Sequence, residues 1–221
     1  MGNLNETPSA NRLHIGIYGK TNSGKSSLIN AVTKQEVSIV ADVAGTTTDP
    51  VYKPMEIHPL GPCVIIDTAG FDDDSELGER RVEKTHLAAE KTDIAVVVLD
   101  IAEVIAAKKA GVPFKKAFKD EAEWSLLFAK KHTPVVFALN KIDEILLSAE
   151  AQEKSSGKLD NAAIEAAKCW VYEENSAVMG KNADNSFEVV AVSALKGKGM
   201  DAVISALTRL SLIHISEPTR H

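Results

Sequence analysis

Apolar residues along the chain follow two periods, which predict short strands and longer helices in alternation. Several of the apolar runs are nearly continuous, as is typical of strands covered on both faces. The predicted strands are 13–18, 51–57, 63–67, 94–100, 135–139 and 187–192. The predicted helices are 24–33, 77–92, 120–131, 142–152, 161–171 and 200–210. This order predicts an α/β fold with a mostly parallel six-stranded sheet, helices on both faces and right-handed crossovers.

Some segments interrupt this pattern. Pro54 lies in the second predicted strand and suits only an edge position, because proline donates no hydrogen bond to a neighbouring strand. We therefore expect one antiparallel edge strand. Residues 101–119 show no clear period, residues 153–160 are polar and should break a helix, and residues 175–186 resemble a loop.

Length and charge narrow the classes of protein to consider. The chain has 221 residues and a formal net charge of −6, from 25 basic and 31 acidic side chains. We expect a flexible leader at 1–11 and one domain at 12–210. Residues 211–221 resemble translated sequencing-adapter read-through, so a non-native tail is expected there.

The acidity argues against a nucleic-acid partner, and no apolar run reaches membrane-spanning length. Two cysteines far apart fit a reducing cytoplasm.

A glycine-rich loop joins the first predicted strand to the first predicted helix. Residues 19–26, GKTNSGKS, fit the phosphate-loop pattern of a glycine, four free positions and Gly-Lys-Ser/Thr. Glycines let backbone N–H groups turn toward phosphate oxygens, and the helix adds its positive N-terminus. In this pattern Lys25 reaches the β- and γ-phosphates and the Ser26 hydroxyl binds Mg²⁺. The loop therefore predicts the fold of a P-loop nucleoside triphosphatase.

Two further motifs have the residues needed to sense a γ-phosphate. Residues 45–49, GTTTD, lie in a predicted loop, where the hydroxyl of Thr47 can bind Mg²⁺ and a backbone N–H can contact the γ-phosphate. Residues 67–70, DTAG, follow a buried strand. There Asp67 can hold Mg²⁺ through a water, and the Gly70 N–H can contact the γ-phosphate.

Two motifs at the ends of later strands predict the choice of base. In residues 140–143, NKID, the Asp143 carboxylate can accept hydrogen bonds from guanine N1–H and the exocyclic amine, a pair of donors that adenine lacks. Asn140 can bond the base edge, and the stem of Lys141 can lie over the ring. After the last strand, the Ala194 N–H can donate to guanine O6. Hydrogen bonds to a charged group contribute about 1.5–3 kcal/mol each, enough to select guanine.

The chain resembles translation-factor-related GTPases, close to the Era and MnmE types. More narrowly, it is similar to the HydF family, whose GTPase takes part in FeFe-hydrogenase maturation. This narrower resemblance rests on GTTTDPV, on DTAGFDD followed by LGERRV, and on the pairs Met55-Glu56 and Gly61-Pro62. HydF proteins continue into a dimerisation domain and an iron–sulfur cluster domain. No cluster is therefore expected on this chain, although two GTPase domains can pair.

The resemblance also implies how hydrolysis is assisted. Ras-like enzymes place a water-orienting glutamine just after the DTAG-type motif, where this chain has Phe71. MnmE-like GTPases bind K⁺ through a phosphate-loop asparagine, and Asn22 occupies that place. The alternative is that Asn22 merely suits the loop backbone. The resemblance thus implies K⁺-stimulated hydrolysis, with Asn22, Lys25, Thr47 and Gly70 as the catalytic residues.

Three functions stay open at this point. The first is GTP hydrolysis to GDP and phosphate as a switch that acts on hydrogenase maturation proteins. The second is an RNA- or ribosome-associated GTPase of the Era and MnmE kind, and the third is a nucleotide-dependent interaction module with negligible turnover. The residues expected to contact GTP are Gly19, Asn22, Ser23, Gly24, Lys25, Ser26, Ser27, Thr46, Thr47, Asp67, Gly70, Asn140, Lys141, Asp143, Ser193, Ala194 and Leu195. Ser26, Thr47 and Asp67 are the expected Mg²⁺ ligands.

Overall fold

A six-stranded sheet forms the centre of the computed structural model, which describes residues 12–34, 51–68, 86–145, 157–179 and 187–216. The strands are β1 (Leu13–Tyr18), β2 (Val51–Ile57), β3 (Gly61–Asp67), β4 (Ile94–Asp100), β5 (Val135–Asn140) and β6 (Phe187–Ala191). Their spatial order is β2-β3-β1-β4-β5-β6. Every neighbouring pair is parallel except β2 with β3. The predicted antiparallel edge strand, which contains Pro54, is therefore confirmed.

Helices cover both faces of this sheet. They are α1 (Lys25–Thr33), α2 (Ile101–Lys109), α3 (Phe114–Ala117), α4 (Lys119–Lys131), α5 (Gly157–Met179) and α6 (Met200–Ser216). Residues 86–90 and 142–145 are also helical. Successive residues of β4 belong alternately to two apolar clusters: Val96 packs in the cluster with α1 and α6, and Val97 in the cluster with α4 and α5. Because side chains alternate along a strand, both faces of the sheet are buried.

The helices of the structure differ from the predicted ones in three places. Residues 101–119, which show no clear period, contain α2 and α3. Helix α5 begins inside the polar segment that was expected to break a helix and continues through residues 175–179, which were expected to be loop. Helix α6 continues to Ser216, into the segment interpreted as a tail.

Local chemistry explains the corrected limits. Helix α2 begins after Asp100, whose Oδ1 accepts a hydrogen bond from Ala102 N at 2.9 Å and so caps the helix. In α5 the polar residue Asn175 is buried, and its Nδ2 donates to Val171 O at 2.9 Å, so the helix accommodates it without a break. The expected leader at 1–11 lies outside the described residues. Within the described ranges, no helix is both long and apolar enough to cross a membrane.

Candidate functional site

The N-cap residue of α1 is a glycine, so the side-chain cap that serine, threonine or aspartate would supply is missing at this position. Gly24, with φ 97°, makes no side-chain cap hydrogen bond, and the first turn contains no acidic residue. The first N–H groups of a helix have no partner within the helix and carry a partial positive charge. This helix start therefore offers hydrogen-bond donors to an anion such as a phosphate.

Lys25 is held inside the loop that precedes α1. Its side chain is buried, and Nζ donates to Gly19 O at 2.5 Å and to Lys20 O at 2.9 Å. Because these two carbonyls belong to the opposite end of the loop, the loop is wrapped around the ammonium group. The positive charge of Lys25 is thus fixed at the helix start, where it adds to the helix dipole.

Two glycines allow the loop to pass this close to its surroundings. A Cβ on Gly19, whose φ is 147°, would lie 2.5 Å from Val98 O, and a Cβ on Gly24 would collide with Asn140 Nδ2. Both positions also have the positive φ that favours glycine. Between them Asn22 adopts φ 64°, which asparagine tolerates better than most residues. Asn22 is exposed at the tip of the loop.

Asn140 joins the phosphate loop to the segment after β6. Its buried side chain donates from Nδ2 to Ser23 O at 3.0 Å and accepts at Oδ1 from Ala194 N at 3.0 Å. The sequence predicts that Asn140 and the Ala194 N–H both contact the base; in the structure these two groups bond to each other. The reason is that β5 and β6 are neighbouring parallel strands, so these buried polar groups meet at their ends and must be paired.

Lys141 is fixed by a partner that the sequence analysis missed. Its Nζ donates to Asp100 Oδ2 at 2.7 Å, and this hydrogen bond raises the pKa of Lys141 against the opposing effect of burial. Asp100 and Asn140 are paired in the β4–β5 register, which places Lys141 just beyond Asp100. Asp100 could have been singled out from the sequence. It stands between an apolar strand and the helix that follows, and an aspartate at that place indicates an N-cap.

Comparisons with known proteins identify this arrangement. A family model described as 50S ribosome-binding GTPase matches residues 14–141, more than half of the chain. The chain belongs to this GTPase family. Its sheet and phosphate loop are those of a P-loop GTPase domain of the Era, Der and MnmE type, which confirms the predicted fold and the prediction of a GTP-hydrolysing enzyme.

The relatives of this GTPase extend well beyond the matched region. The chain is 54% identical over 65 residues to GTPase Der of Mycoplasmopsis pulmonis, a match that covers 29% of this chain and 15% of Der. It is 34% identical over 132 residues to the tRNA modification GTPase MnmE of Laribacter hongkongensis, covering 59% of this chain and 26% of MnmE. The chain therefore spans about a quarter or less of these two relatives.

Solved structures give the same fold. An Era variant of Aquifex aeolicus bound to GDP and AlF4⁻ superposes with a TM-score of 0.58 at 24% identity, over 89% of this chain and 56% of Era. A probable GTP-binding protein engB superposes with a TM-score of 0.54 at 21% identity, over 89% of this chain and 97% of that protein. At these identities the likeness concerns the fold alone.

The oxygen atoms available to this GTPase fit a magnesium ion. Asp67 ends β3 and is paired with Ile17 in the β1–β3 register, beside the strand that leads into the phosphate loop. Its carboxylate lies 3.3 Å from Lys53 Nζ and is largely buried. Ser26, which has the second predicted ligand oxygen, is an exposed residue in the first turn of α1. Hydroxyl and carboxylate oxygens are the ligands that Mg²⁺ prefers.

The remaining predicted site residues differ in burial, and several of them lie outside the described residues. Asp143 is half-buried in the helical turn 142–145, next to Lys141. Ser193 is fully buried, whereas Leu195 is 76% exposed, and Ser27 is exposed on α1. Thr46, Thr47, Gly70 and Phe71 lie outside the described residues.

Proposed function

We propose that this chain is the nucleotide switch of a larger RNA- or ribosome-associated GTPase. The start of α1 and Lys25 hold the phosphates, and Asp143 and Lys141 hold the guanine. The observation that carries the nucleotide-binding part of this proposal is the Asn140 side chain, because it links the phosphate loop, through Ser23, to Ala194 after β6. One buried amide thereby sets the spacing between the two ends of the nucleotide.

Hydrolysis in this proposal depends on positioning and charge. Ser26 and Thr47, together with Asp67 through a water, would hold Mg²⁺, which would supply positive charge to offset that of the phosphates. Lys25 adds a fixed positive charge, and the Gly70 N–H contacts the γ-phosphate. Loss of the γ-phosphate then releases the segments that contain Thr47 and Gly70, which changes the surface offered to a partner.

The RNA or ribosomal partner is supported by the relatives rather than by the net charge. The family is described as ribosome-binding, and MnmE, which is 34% identical over 132 residues, is a tRNA modification GTPase. This proposal replaces the expectation, based on acidity, that nucleic acid is not a partner.

Sedimentation with isolated 50S subunits, and a parallel filter-binding assay with bulk tRNA, test the partner. With a non-hydrolysable GTP analogue, the chain is expected to bind one of these two partners at least about tenfold more tightly than with GDP. The Lys25→Ala variant is the control, because it should not respond to nucleotide. Equal binding in both nucleotide states, or no binding to either partner, would contradict the proposal.

A second candidate is a switch in FeFe-hydrogenase maturation. It is favoured by the HydF-like sequences at 45–51, 67–73 and 77–82, which lie mostly outside the described residues. The same two nucleotide states should then alter binding to purified hydrogenase maturation proteins. Binding to these proteins without binding to 50S subunits or tRNA would decide in favour of this candidate.

We propose further that Asn22 is a K⁺ ligand that assists hydrolysis. GTP turnover should rise when Na⁺ is replaced by K⁺ at constant ionic strength, up to the ~10³–10⁵-fold that an arginine finger can supply. The backbone of Asn22 has φ 64°, so Asn22→Gly removes the amide without straining the loop, whereas Asn22→Ala also adds strain. Both variants should lose the K⁺ response while they keep GTP affinity within about threefold.

The glycine variant separates the two interpretations of Asn22. If Asn22 only suits the loop backbone, Asn22→Gly should retain the K⁺ response. Because pairing of GTPase domains can assist closure over the ion, rates should be measured across protein concentrations. Equal turnover in Na⁺ and K⁺ at every concentration would exclude a K⁺ site.

A further inference from the structure

Lys20, the second residue of the phosphate loop, reaches across to the corner between α3 and α4. Its Nζ donates to Ala117 O at 3.3 Å, lies 5.1 Å from the centre of the Phe118 ring, and lies 3.8 Å from Glu121 Oε2. A carbonyl, an aromatic face and a carboxylate thus converge on one ammonium group. Such a set of contacts holds a long side chain in one direction across the surface.

The Glu121 carboxylate near this ammonium group is buried, which is unusual for a glutamate. Its side chain is 1% exposed, and Oε2 has no hydrogen-bond partner in the part of the chain that the structure describes. Burial raises the pKa of Glu121, while the positive charge of Lys20 and nearby backbone N–H groups lower it. A buried carboxylate is destabilising unless an opposite charge compensates it. Lys20 supplies that charge.

The backbone of Lys20 connects this corner to the phosphate-binding lysine. Lys20 O accepts hydrogen bonds from Lys25 Nζ at 2.9 Å and from Ser23 N at 3.2 Å. The side chain of Lys20 is therefore tied to α4 while its carbonyl is tied to Lys25. A shift of Lys20 would move the carbonyl that orients the Lys25 ammonium.

We propose that Glu121 is a positioning residue for nucleotide binding, which acts through Lys20 to orient Lys25. The inference rests on the proposed role of Lys25 at the β- and γ-phosphates. It assigns to α4, which contributes no residue to the predicted nucleotide site, a direct effect on affinity for di- and triphosphates.

Affinities for GDP and GMP test this assignment, because GMP lacks the β-phosphate that Lys25 reaches. Glu121→Gln should lower GDP affinity about tenfold and leave GMP affinity unchanged. Lys20→Met should do the same from the other end of the pair, and Glu121→Gln should add nothing in the Lys20→Met background. Glu123→Gln, an exposed position on the same helix, is the matched control and should behave like the wild type.

The outcomes separate the possible causes. A merely structural role for Glu121 would lower the melting temperature and weaken GDP and GMP equally, or would add to the effect of Lys20→Met, and either result would overturn the proposal. Should Glu121→Gln not fold, the GDP-to-GMP ratio of Lys20→Met decides alone, since Lys20 is partly exposed.

Lys25→Ala is measured in parallel. If Lys25→Ala keeps GDP affinity, the proposed phosphate role fails; if only Glu121→Gln and Lys20→Met keep it, the positioning inference fails.

Discussion

Lys25→Ala should abolish tight GTP binding while the domain stays folded. The substitution removes the fixed charge at the start of α1 and leaves Gly19 O and Lys20 O without the ammonium that they now share. Charge-assisted hydrogen bonds contribute about 1.5–3 kcal/mol each, so losing those to the phosphates corresponds to a ~10²–10⁴-fold lower affinity. Isothermal titration with a non-hydrolysable GTP analogue measures this loss.

A second lysine of the same helix region provides the control for Lys25→Ala. Lys34 is the C-cap residue of α1 and is exposed, so Lys34→Ala changes the net charge equally but lies at the far end of the helix. It should bind the analogue as the wild type does. Near-native affinity in Lys25→Ala would mean that the loop does not hold phosphate through this residue.

The parts of the fold that the sequence predicted best are those encoded by local pattern. The apolar runs at β4 and β5 leave no alternative to buried strands, and Pro54 restricts β2 to an edge. By contrast α2 is rich in alanine and lysine, and it buries few large side chains, among them Ile101 and Val104. Its helical period is therefore weak. The feature of the sequence that indicates this helix is Asp100, which caps its start.

The same distinction applies to the site. The phosphate loop and the NKID sequence have fixed spacings, so both were located from the sequence alone. The contacts of Asp100 with Lys141, of Glu121 with Lys20 and of Asn140 with Ser23 join residues 41, 101 and 117 positions apart. They depend on which strands are neighbours and on where a helix corner packs, and no local pattern specifies either.

Asp143→Asn should shift nucleotide preference from guanine to xanthine. The carboxylate is expected to accept two hydrogen bonds from guanine, each worth about 1.5–3 kcal/mol, so GTP affinity should fall ~10²–10⁴-fold. An asparagine amide can instead donate to the C2 carbonyl of xanthine, so XTP affinity should rise. Competition binding with GTP, XTP and ATP measures the change.

Asn140→Ala distinguishes base recognition from the shape of the site. Because Asn140 bonds Ser23 O and Ala194 N, its loss should leave two buried backbone groups unpaired and weaken GTP and XTP alike. Asp143→Asn should weaken only GTP, since Asp143 lies beyond β5 in the helical turn 142–145 and acts on the base itself. If Asp143→Asn keeps the preference for GTP over XTP, or weakens both nucleotides as Asn140→Ala does, Asp143 does not read the base.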